Sequence, residues 1–533
     1  MRKAVKEFGP IPKEIKDATE VLKKAGFEAY LVGGCVRDIL IGRKPSDWDI
    51  TTNAKPEDII KIFPKTFYEN NYGTVGVVNE SVTDETLKVI EITPYRLEAE
   101  YSDNRRPDSV IFSEKLDDDL HRRDFTINAI ALKIIGEGSH EKSADLVASK
   151  KDFYKGEIED FYNGQEDLKN KILKTVGDPH ERFQEDGLRI LRAVRIANNI
   201  DFKIDKNTED ALLKQGSLLE KIAKERIRDE FSKIIMSDEP MKGIKSCKKY
   251  DLLKYIIPEL EKTIDVKQGG AHKYDVWEHS LIALQHSADK KWDLEIRLAV
   301  LLHDIGKPKS KRPAVARSSG EARTGEAKPA SAQSYGEVKP TFYGHEVIGA
   351  RITEKILQDL RYPKKVIEKV TRLVRWHMFF ADTEQISLSA VRRIVAKVGK
   401  EDIWDLMNVR SCDRIGMGRP KESPYRLRKY HAMIDEAVRD PISVGMLKMD
   451  GVKLMEVTGE KAGPKIGFVL HALLEEVLEN PKLNTEEYLS ERSIKLIKLP
   501  EKELKEMGEE GKKKKEEENE EEIKMIRKSH FVE

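Results

Sequence analysis

Leu31-Val32-Gly33-Gly34-Cys35-Val36-Arg37-Asp38, followed closely by Asp47-Trp48-Asp49-Ile50-Thr51-Thr52, is the most informative stretch of the chain. An apolar run over 29–32 enters two glycines, and 36–41 reads as a helix that ends at Gly42. Glycines at a strand–helix turn let backbone N–H groups approach a phosphate, and the start of a helix favours an anion. Arg37, near that turn, adds a charge-assisted contact. On a strand, residues two apart share a face, so Asp47 and Asp49 converge while Trp48 points into the core. Two adjacent carboxylates repel unless a cation lies between them. Mg²⁺ suits that position, because it binds through one or two carboxylates and substrate phosphates. Either element alone would be an ordinary turn; together they describe a site for metal and phosphate.

Outward from this stretch, 1–135 alternates helical and strand patterns. A charged amphipathic helix is predicted over 13–25, strands over 49–51, 73–78 and 89–95, and a helix over 116–123 before the apolar run 127–135. From 178 to 236 the period is 3.6. Asp178-Pro179 starts a helical pattern that carries Phe183, Leu188, Leu191 and Val194 on one face, with Arg189, Arg192 and Arg195 spaced between. Residues 240–500 read as mostly helical, with histidines in apolar surroundings. The Ser/Ala/Gly/Lys segment 309–339 is predicted to be a flexible insertion, since it has too few large aliphatics to offset its ordering entropy. The tail 501–533 reads as a solvated helix or disorder.

The 533 residues include 96 Lys and Arg against 95 Asp and Glu, a net charge of +1. No global field steers the molecule to nucleic acid, so any basic surface is local. No apolar stretch approaches the ~20 residues of a membrane span. The opening segment lacks the apolar core of a secretory signal. Cys35, Cys247 and Cys412 are too few and too far apart for a disulfide framework or a thiolate cluster. A soluble, multidomain, cytoplasmic protein is expected.

Four further blocks follow the first in order: Tyr101-Ser102-Asp103 with Arg105-Arg106-Pro107-Asp108; Arg122-Arg123-Asp124-Phe125-Thr126-Ile127-Asn128-Ala129; 178–195; and Glu225-Arg226-Ile227 to Glu230. The set resembles class II tRNA nucleotidyltransferases and bacterial poly(A) polymerases. The resemblance implies that Asp47 and Asp49 hold catalytic Mg²⁺, which activates the RNA 3′-hydroxyl and stabilises charge on the α-phosphate and pyrophosphate. Glu91 is a candidate third carboxylate. Gly34, Arg37 and Arg123 would contact the nucleotide. Asp186 and Arg189, at i and i+3, would share a helix face and act as the family's protein template, selecting CTP or ATP over GTP and UTP. Each three-residue step turns about 60° off that face, so Arg192 and Arg195 serve the triphosphate or structural pairing. The family's base-switching loop corresponds to 95–110, with Arg96, Arg105 and Arg106, which favours complete CCA addition. An enzyme adding only the terminal A, or a poly(A) polymerase, would carry the same head.

A second constellation comprises His279, His303-Asp304, His345, His377 and Asp413, all on helical sequence. A buried charged Asp beside a His is costly unless paired or metallated. Imidazoles with carboxylates suit Mn²⁺, Ni²⁺, Fe or Zn²⁺. The set is similar to the HD phosphohydrolase superfamily. His279, His303, Asp304 and Asp413 match its core ligands, and His345 and His377 match the additional positions of binuclear members. HD domains attached to tRNA nucleotidyltransferases hydrolyse 2′,3′-cyclic phosphates or 2′-phosphates. Residues 463–467 and 479–485 resemble the C-terminal body of such enzymes.

The expected architecture is α/β followed by all-α. A DNA polymerase beta-like nucleotidyltransferase head spans 1–155, a helical neck 156–240, an HD domain 241–420, a tRNA-binding body 421–500 and a charged tail 501–533. The expected activity is addition of C, C and A to the tRNA 3′ acceptor end from CTP and ATP. A reading of another class makes the HD centre the main activity and the head an RNA-binding platform. A non-enzymatic RNA end-binder would predict damaged carboxylates, and Asp47, Asp49, Asp186 and Arg189 are intact.

Overall fold

Branched and aliphatic side chains dominate Tyr30–Val32, Asp49–Thr52, Val75–Val78 and Val89–Pro94, and each run forms a strand, because such side chains fit a pleated, half-buried surface. The computed structural model describes residues 5–68, 73–80, 82–99, 109–141, 151–269, 272–311, 341–378, 386–505 and 507. Among these, eight strands form one mixed sheet in the order Lys6–Phe8, Lys151–Asp160, Ile130–Glu141, Tyr30–Val32, Asp49–Thr52, Val89–Pro94, Val75–Val78, Thr66–Tyr68. Neighbours run antiparallel except Asp49–Thr52 with Val89–Pro94, which are parallel and in register Asp49 to Glu91. A parallel pair needs a crossover, and the helix Pro56–Ile62 lies within it. The central strands bury Leu31, Val32, Ile50 and Ile92 completely.

The continuous helical pattern expected from Asp178-Pro179 through Arg195 is two helices, Pro179–Glu185 and Leu188–Ile200. Asp178 caps the first, accepting the N–H groups of His180 at 2.8 Å and Glu181 at 3.1 Å, with Pro179 in the favoured first position. The break falls at Asp186-Gly187. Asp186 is extended, at φ −145° and ψ 102°, and its carboxylate accepts the N–H of Leu188 at 3.1 Å. Gly187 packs so closely that a Cβ there would lie 2.9 Å from Leu218 Cβ. The Asp-Gly pair is itself a breaker signal, which the continuous apolar period masks.

The described residues form two compact units, one running to Glu261 and including Asp359–Tyr362, the other starting at Lys262. The histidine-bearing domain was expected from 241, whereas Pro240–Lys249, Leu253–Ile256 and Pro258–Glu261 belong to the first unit. Close packing explains this: Ile244 and Cys247 are fully buried, and a Cβ on Gly243 would meet Ile234 at 2.6 Å. Among the described residues, the regular elements of the second unit are all helices. Val276–Asp289 packs against Leu294–Leu302 and Ile403–Gly416. The helices Tyr425–Ala437, Gly451–Thr458, Pro464–Glu479 and Glu486–Leu496 follow. Among the described residues no helix is long and apolar enough to cross a membrane. Arg105 and Arg106, nearly all of the 309–339 insertion, and most of the 501–533 tail lie outside the described residues.

Candidate functional site

Strand Tyr30–Val32 runs into Gly33 at φ 82°, where the helix Gly34–Leu40 begins. A Cβ on Gly33 would lie 3.0 Å from Asp49 Oδ2 and 3.2 Å from Arg123 Nη1; one on Gly34 would lie 3.5 Å from Arg37 Nη2 and 3.6 Å from Asp47 Oδ1. The turn, the two aspartates and both arginines therefore meet at one place, and bare backbone is what lets them do so. Asp47 is exposed, Trp48 buried and Asp49 half-buried, the alternation expected of residues two apart. Asp47 itself lies in the bend before the strand, which starts at Asp49. Glu91 is exposed and stands beside Asp49 in parallel register, so it shares that side of the sheet. The Cys35 thiol beneath them is buried, which pushes its pKa up to about 12 with help from the Asp49 charge, and it stays protonated.

The arginines are held in place. Arg37 donates from Nε to Asp38 Oδ1 at 2.8 Å and from Nη1 to Asn128 Oδ1 at 3.0 Å. Arg123 donates to Asp119 Oδ2 at 3.1 Å, and the buried Asp119 also accepts from Arg122 and from Thr51 Oγ1 at 3.1 Å. Burial pushes the Asp119 carboxyl up, and the Arg122 and Arg123 charges outweigh it, holding it below its ordinary range. Asn128 passes the connection on, donating to Asp124 Oδ1 at 3.1 Å, while Arg192 donates to Asp124 Oδ2 at 2.8 Å. This relay ties the glycine turn to the helix Leu188–Ile200.

Asp186 and Arg189 do not share a helix face, because the helix starts after Asp186. Asp186 accepts both terminal nitrogens of Arg226, at 3.2 Å and 2.7 Å. Arg189, 8 % exposed, donates to Arg182 O at 3.1 Å, to Arg122 O at 2.9 Å and to Glu185. Arg192 pairs with Asp124, and Arg195 donates to Glu230 Oε2 at 2.5 Å. Asp124, Asn128 and Arg226 lie within the quoted sequence blocks, but their roles depend on partners distant in sequence.

In the second unit all six expected residues meet. They form two groups of ligand atoms, His279, His303 and Asp413, and Asp304, His345 and His377, each within 4.8 Å and buried. Asp304 joins them: Oδ2 lies 3.2 Å from His279 Nε2 and 3.3 Å from His303 Nε2, while Oδ1 lies 3.2 Å from His345 Nε2 and 3.7 Å from His377 Nε2. His303, His345 and His377 each turn Nδ1 to a carbonyl three residues earlier, those of Val300, Phe342 and Val374, at 2.7, 2.8 and 2.7 Å. Those bonds place a proton on Nδ1 and aim the Nε2 lone pair inward, the orientation metal-ligating imidazoles adopt. Nε2 atoms then face each other at 2.9 Å for His279–His303 and 3.3 Å for His345–His377, which demands positive charge between them. The donor set fits divalent transition ions.

Three residues around this centre escaped the sequence reading. Lys307 donates to Asp304 Oδ2 at 2.6 Å and to Gln268 Oε1 at 2.5 Å. His272 stands edge-on to His279, ring centroids 5.2 Å apart. Arg410 donates to Asp413.

Comparison with known proteins agrees with this layout. Residues 29–174 match the Poly A polymerase head domain, 201–264 the family described as "Probable RNA and SrmB-binding site of polymerase A", and 276–398 the HD domain. The chain is 41% identical over 261 residues to the CCA-adding enzyme of Ligilactobacillus salivarius, covering 48% of this chain and 58% of that one. It is 44% identical over 216 residues to the CCA-adding enzyme of Lactobacillus helveticus, covering 40% and 48%. The matches thus span about half the length of these relatives. The Bacillus stearothermophilus CCA-adding enzyme, solved in complex with CTP, superposes with a TM-score of 0.62 at 24% identity over 91% of this chain and 98% of that one. The fold is shared.

Proposed function

We propose that this chain is a tRNA nucleotidyltransferase that completes the 3′ acceptor end with C, C and A, using CTP and ATP, and that it works in the cytoplasm. The convergence of Asp47, Asp49, Arg37 and Arg123 on Gly33-Gly34 carries the proposal, and the names of the relatives give the direction of the chemistry. Asp47 and Asp49 would hold Mg²⁺, with Glu91 beside them. When bound, that ion lowers the pKa of the RNA 3′-hydroxyl and offsets charge on the α-phosphate and the leaving pyrophosphate. Arg37 and Arg123, pre-positioned by Asp38, Asn128 and Asp119, contact the triphosphate over the bare glycine backbone. Asp186 and Arg189 read the base edge, one accepting and one donating. Arg192 and Arg195 act through their pairing with Asp124 and Glu230. The segment 421–500 would hold the tRNA body through phosphates, so its affinity falls with salt.

The test offers CTP and ATP with Mg²⁺ to tRNA transcripts ending at the discriminator base, at C and at CC, and sequences the 3′ ends. Growth of all three to a finite CCA end is expected. Addition of A alone to the CC transcript would make the chain an A-adding enzyme, and long A tracts would make it a poly(A) polymerase.

A second activity, phosphoester hydrolysis, is favoured by the paired histidine–aspartate groups bridged by Asp304. The six residues would hold two divalent transition ions such as Mn²⁺, Ni²⁺ or Fe. Asp304→Ala should lose this metal by elemental analysis and keep nucleotide transfer. Metal content equal to wild type would sink the ligand set.

A further inference from the structure

We infer that Lys273, Tyr274, Arg414 and Arg419 form a surface beside the histidine–aspartate centre that holds a single RNA strand by its phosphates and one base. That this strand presents a phosphoester to the centre rests on the phosphohydrolase reading; the binding itself does not.

Position comes first. The helix Ile403–Gly416, which carries Asp413, ends against the centre: a Cβ on Gly416 would lie 2.7 Å from His279 O. Gly418 then packs on the segment that leads into Val276–Asp289, where a Cβ would lie 2.7 Å from Lys273 Cδ and 3.2 Å from Tyr274 Cε2. The Lys273 N–H donates to Met417 O at 3.3 Å. The turn after the helix therefore touches the centre at Gly416 and touches Lys273 and Tyr274 at Gly418. Arg414 Nε donates to Lys421 O at 2.6 Å, which draws the chain back to the helix end.

Charge comes second. The stretch 410–421 holds Arg410, Arg414, Arg419 and Lys421 against one acid, Asp413. That acid is buried in the centre, with Arg410 donating to it. The next acid, Glu422, is taken by Lys290 at 2.8 Å. Among the described residues, Lys273, Arg414, Arg419 and Lys421 form no ion pair. Burial, then the charges of Arg419 and Arg410, lower the Arg414 pKa, so these guanidiniums repel one another. Elsewhere in the same unit Lys369 and Arg372 are matched to Asp405 and Asp402, each at 2.6 Å. In a chain of net charge +1, an uncompensated cluster of this kind is a local field that gathers a polyanion.

Tyr274 gives the polyanion its class. It is 41% exposed, with its ring against the bare backbone of Gly418. Cations beside an open aromatic ring suit a single nucleic-acid strand, which sets phosphates on the charges and a base on the ring. RNA is the substrate proposed for the first unit, so it is the strand to which the inference commits.

The test uses the full chain loaded with Mn²⁺, as wild type, Arg414→Gln/Arg419→Gln, Arg419→Glu and Tyr274→Leu. Lys364→Gln/Lys365→Gln, at the exposed start of the helix Lys364–Trp376, controls for the same loss of charge. The probe is a labelled single-stranded RNA ending in a 2′,3′-cyclic phosphate, which leaves no 3′-hydroxyl for nucleotide transfer. Its affinity is measured against salt concentration, together with KM for its hydrolysis, KM for 2′,3′-cyclic AMP, KM for tRNA in nucleotide transfer, and Mn²⁺ content. Affinity should fall about ten-fold or more in both arginine variants, and the slope of log affinity against log salt should become shallower by about 1.4 in the double variant, at about 0.7 per phosphate contact. Tyr274→Leu should weaken binding with the slope unchanged, as for a lost stacking contact. Arg419→Glu keeps the Arg414 bond to Lys421, so the test survives if the double variant fails to fold. Mn²⁺ content and KM for cyclic AMP and for tRNA should stay at wild-type values. RNA affinity that falls no further in the arginine variants than in the lysine control overturns the inference. So does a rise in KM for cyclic AMP equal to that for the RNA, which would put the arginines on the reacting phosphate, or an equal rise for tRNA, which would make them part of its grip. If the wild type hydrolyses neither ester while both arginine variants lose RNA affinity, the hydrolase reading fails and the inference stands.

Discussion

Arg226 grips both carboxylate oxygens of Asp186, at 3.2 Å and 2.7 Å, across 40 residues of sequence. The pair fixes the orientation of a side chain proposed to read the base. Arg226→Ala should therefore loosen choice between nucleotides while sparing the Mg²⁺ site. A bidentate charge-assisted contact is worth about 1.5–3 kcal/mol, so discrimination of CTP and ATP from UTP and GTP should fall roughly ten-fold or more. Ratios of kcat/KM for the four nucleotides check this, and unchanged ratios would make Arg226 a packing residue only.

Gly33→Ala tests the glycine turn. The new methyl would be strained at φ 82° and would press on Asp49 Oδ2 at 3.0 Å. Gly26, at φ 89° with nothing within 4 Å of a built Cβ, is the control for backbone strain alone. Both variants should lose about 1 kcal/mol of stability. Only Gly33→Ala should lose nucleotide transfer, as Asp47→Ala and Asp49→Ala should. Equal activity in the two glycine variants would uncouple the turn from the aspartates.

Gly416→Ala should unseat one metal position in the second unit. A Cβ there would lie 2.7 Å from His279 O and 2.9 Å from His279 Nδ1, and that Nδ1 has no hydrogen-bond partner to hold the ring. The group of Asp304, His345 and His377 lacks this contact. Elemental analysis should show partial rather than complete loss of metal, with nucleotide transfer unchanged. Full metal occupancy would contradict the ligand role of His279.

Asp124 gives the acid limb of stability. Burial raises its carboxyl, and the Arg192 charge outweighs burial, setting the folded pKa at about 2 against an ordinary 3.8. The folded state thus binds fewer protons, so the stabilisation is present above about pH 4 and is lost as pH falls towards 2. It amounts to ~2 kcal/mol at neutral pH. Asp124→Asn should destabilise the first unit at pH 7 and flatten its dependence between pH 5 and 2, measured by denaturant unfolding with fluorescence of Trp48, the tryptophan of that unit. A slope equal to wild type would remove Asp124 from the network.

Much of both sites was legible because their residues announce themselves locally. Trp48 between two aspartates shows the period of two, and Gly33-Gly34 shows a turn that side chains would block. The second centre was legible as residue types on helical sequence, since only metal or pairing makes a buried His303-Asp304 tolerable. What stayed hidden depends on contacts far apart in the chain. The apolar period running through Asp186-Gly187 concealed a helix break stabilised by Leu218 packing. Arg226, Asn128 and Asp124 gain their meaning from partners no spacing rule connects. The boundary at 241 was misplaced because helix 240–249 has the composition of its neighbours, and only packing against Ile234 assigns it to the first unit.

The single parallel pairing in the sheet, Asp49 beside Glu91, has a consequence for biogenesis. Its two strands are separated by a helix and a hairpin, and the strand Ile130–Glu141, which lies beyond Tyr30–Val32 in the sheet order, arrives later still. Closing such loops is an entropic cost met before the pairing returns any stability. Asp49 and Glu91 therefore come together only after the helix and hairpin between them and the strand Val89–Pro94 have been made. A nascent chain short of that point carries Asp47 and Asp49 without Glu91 beside them.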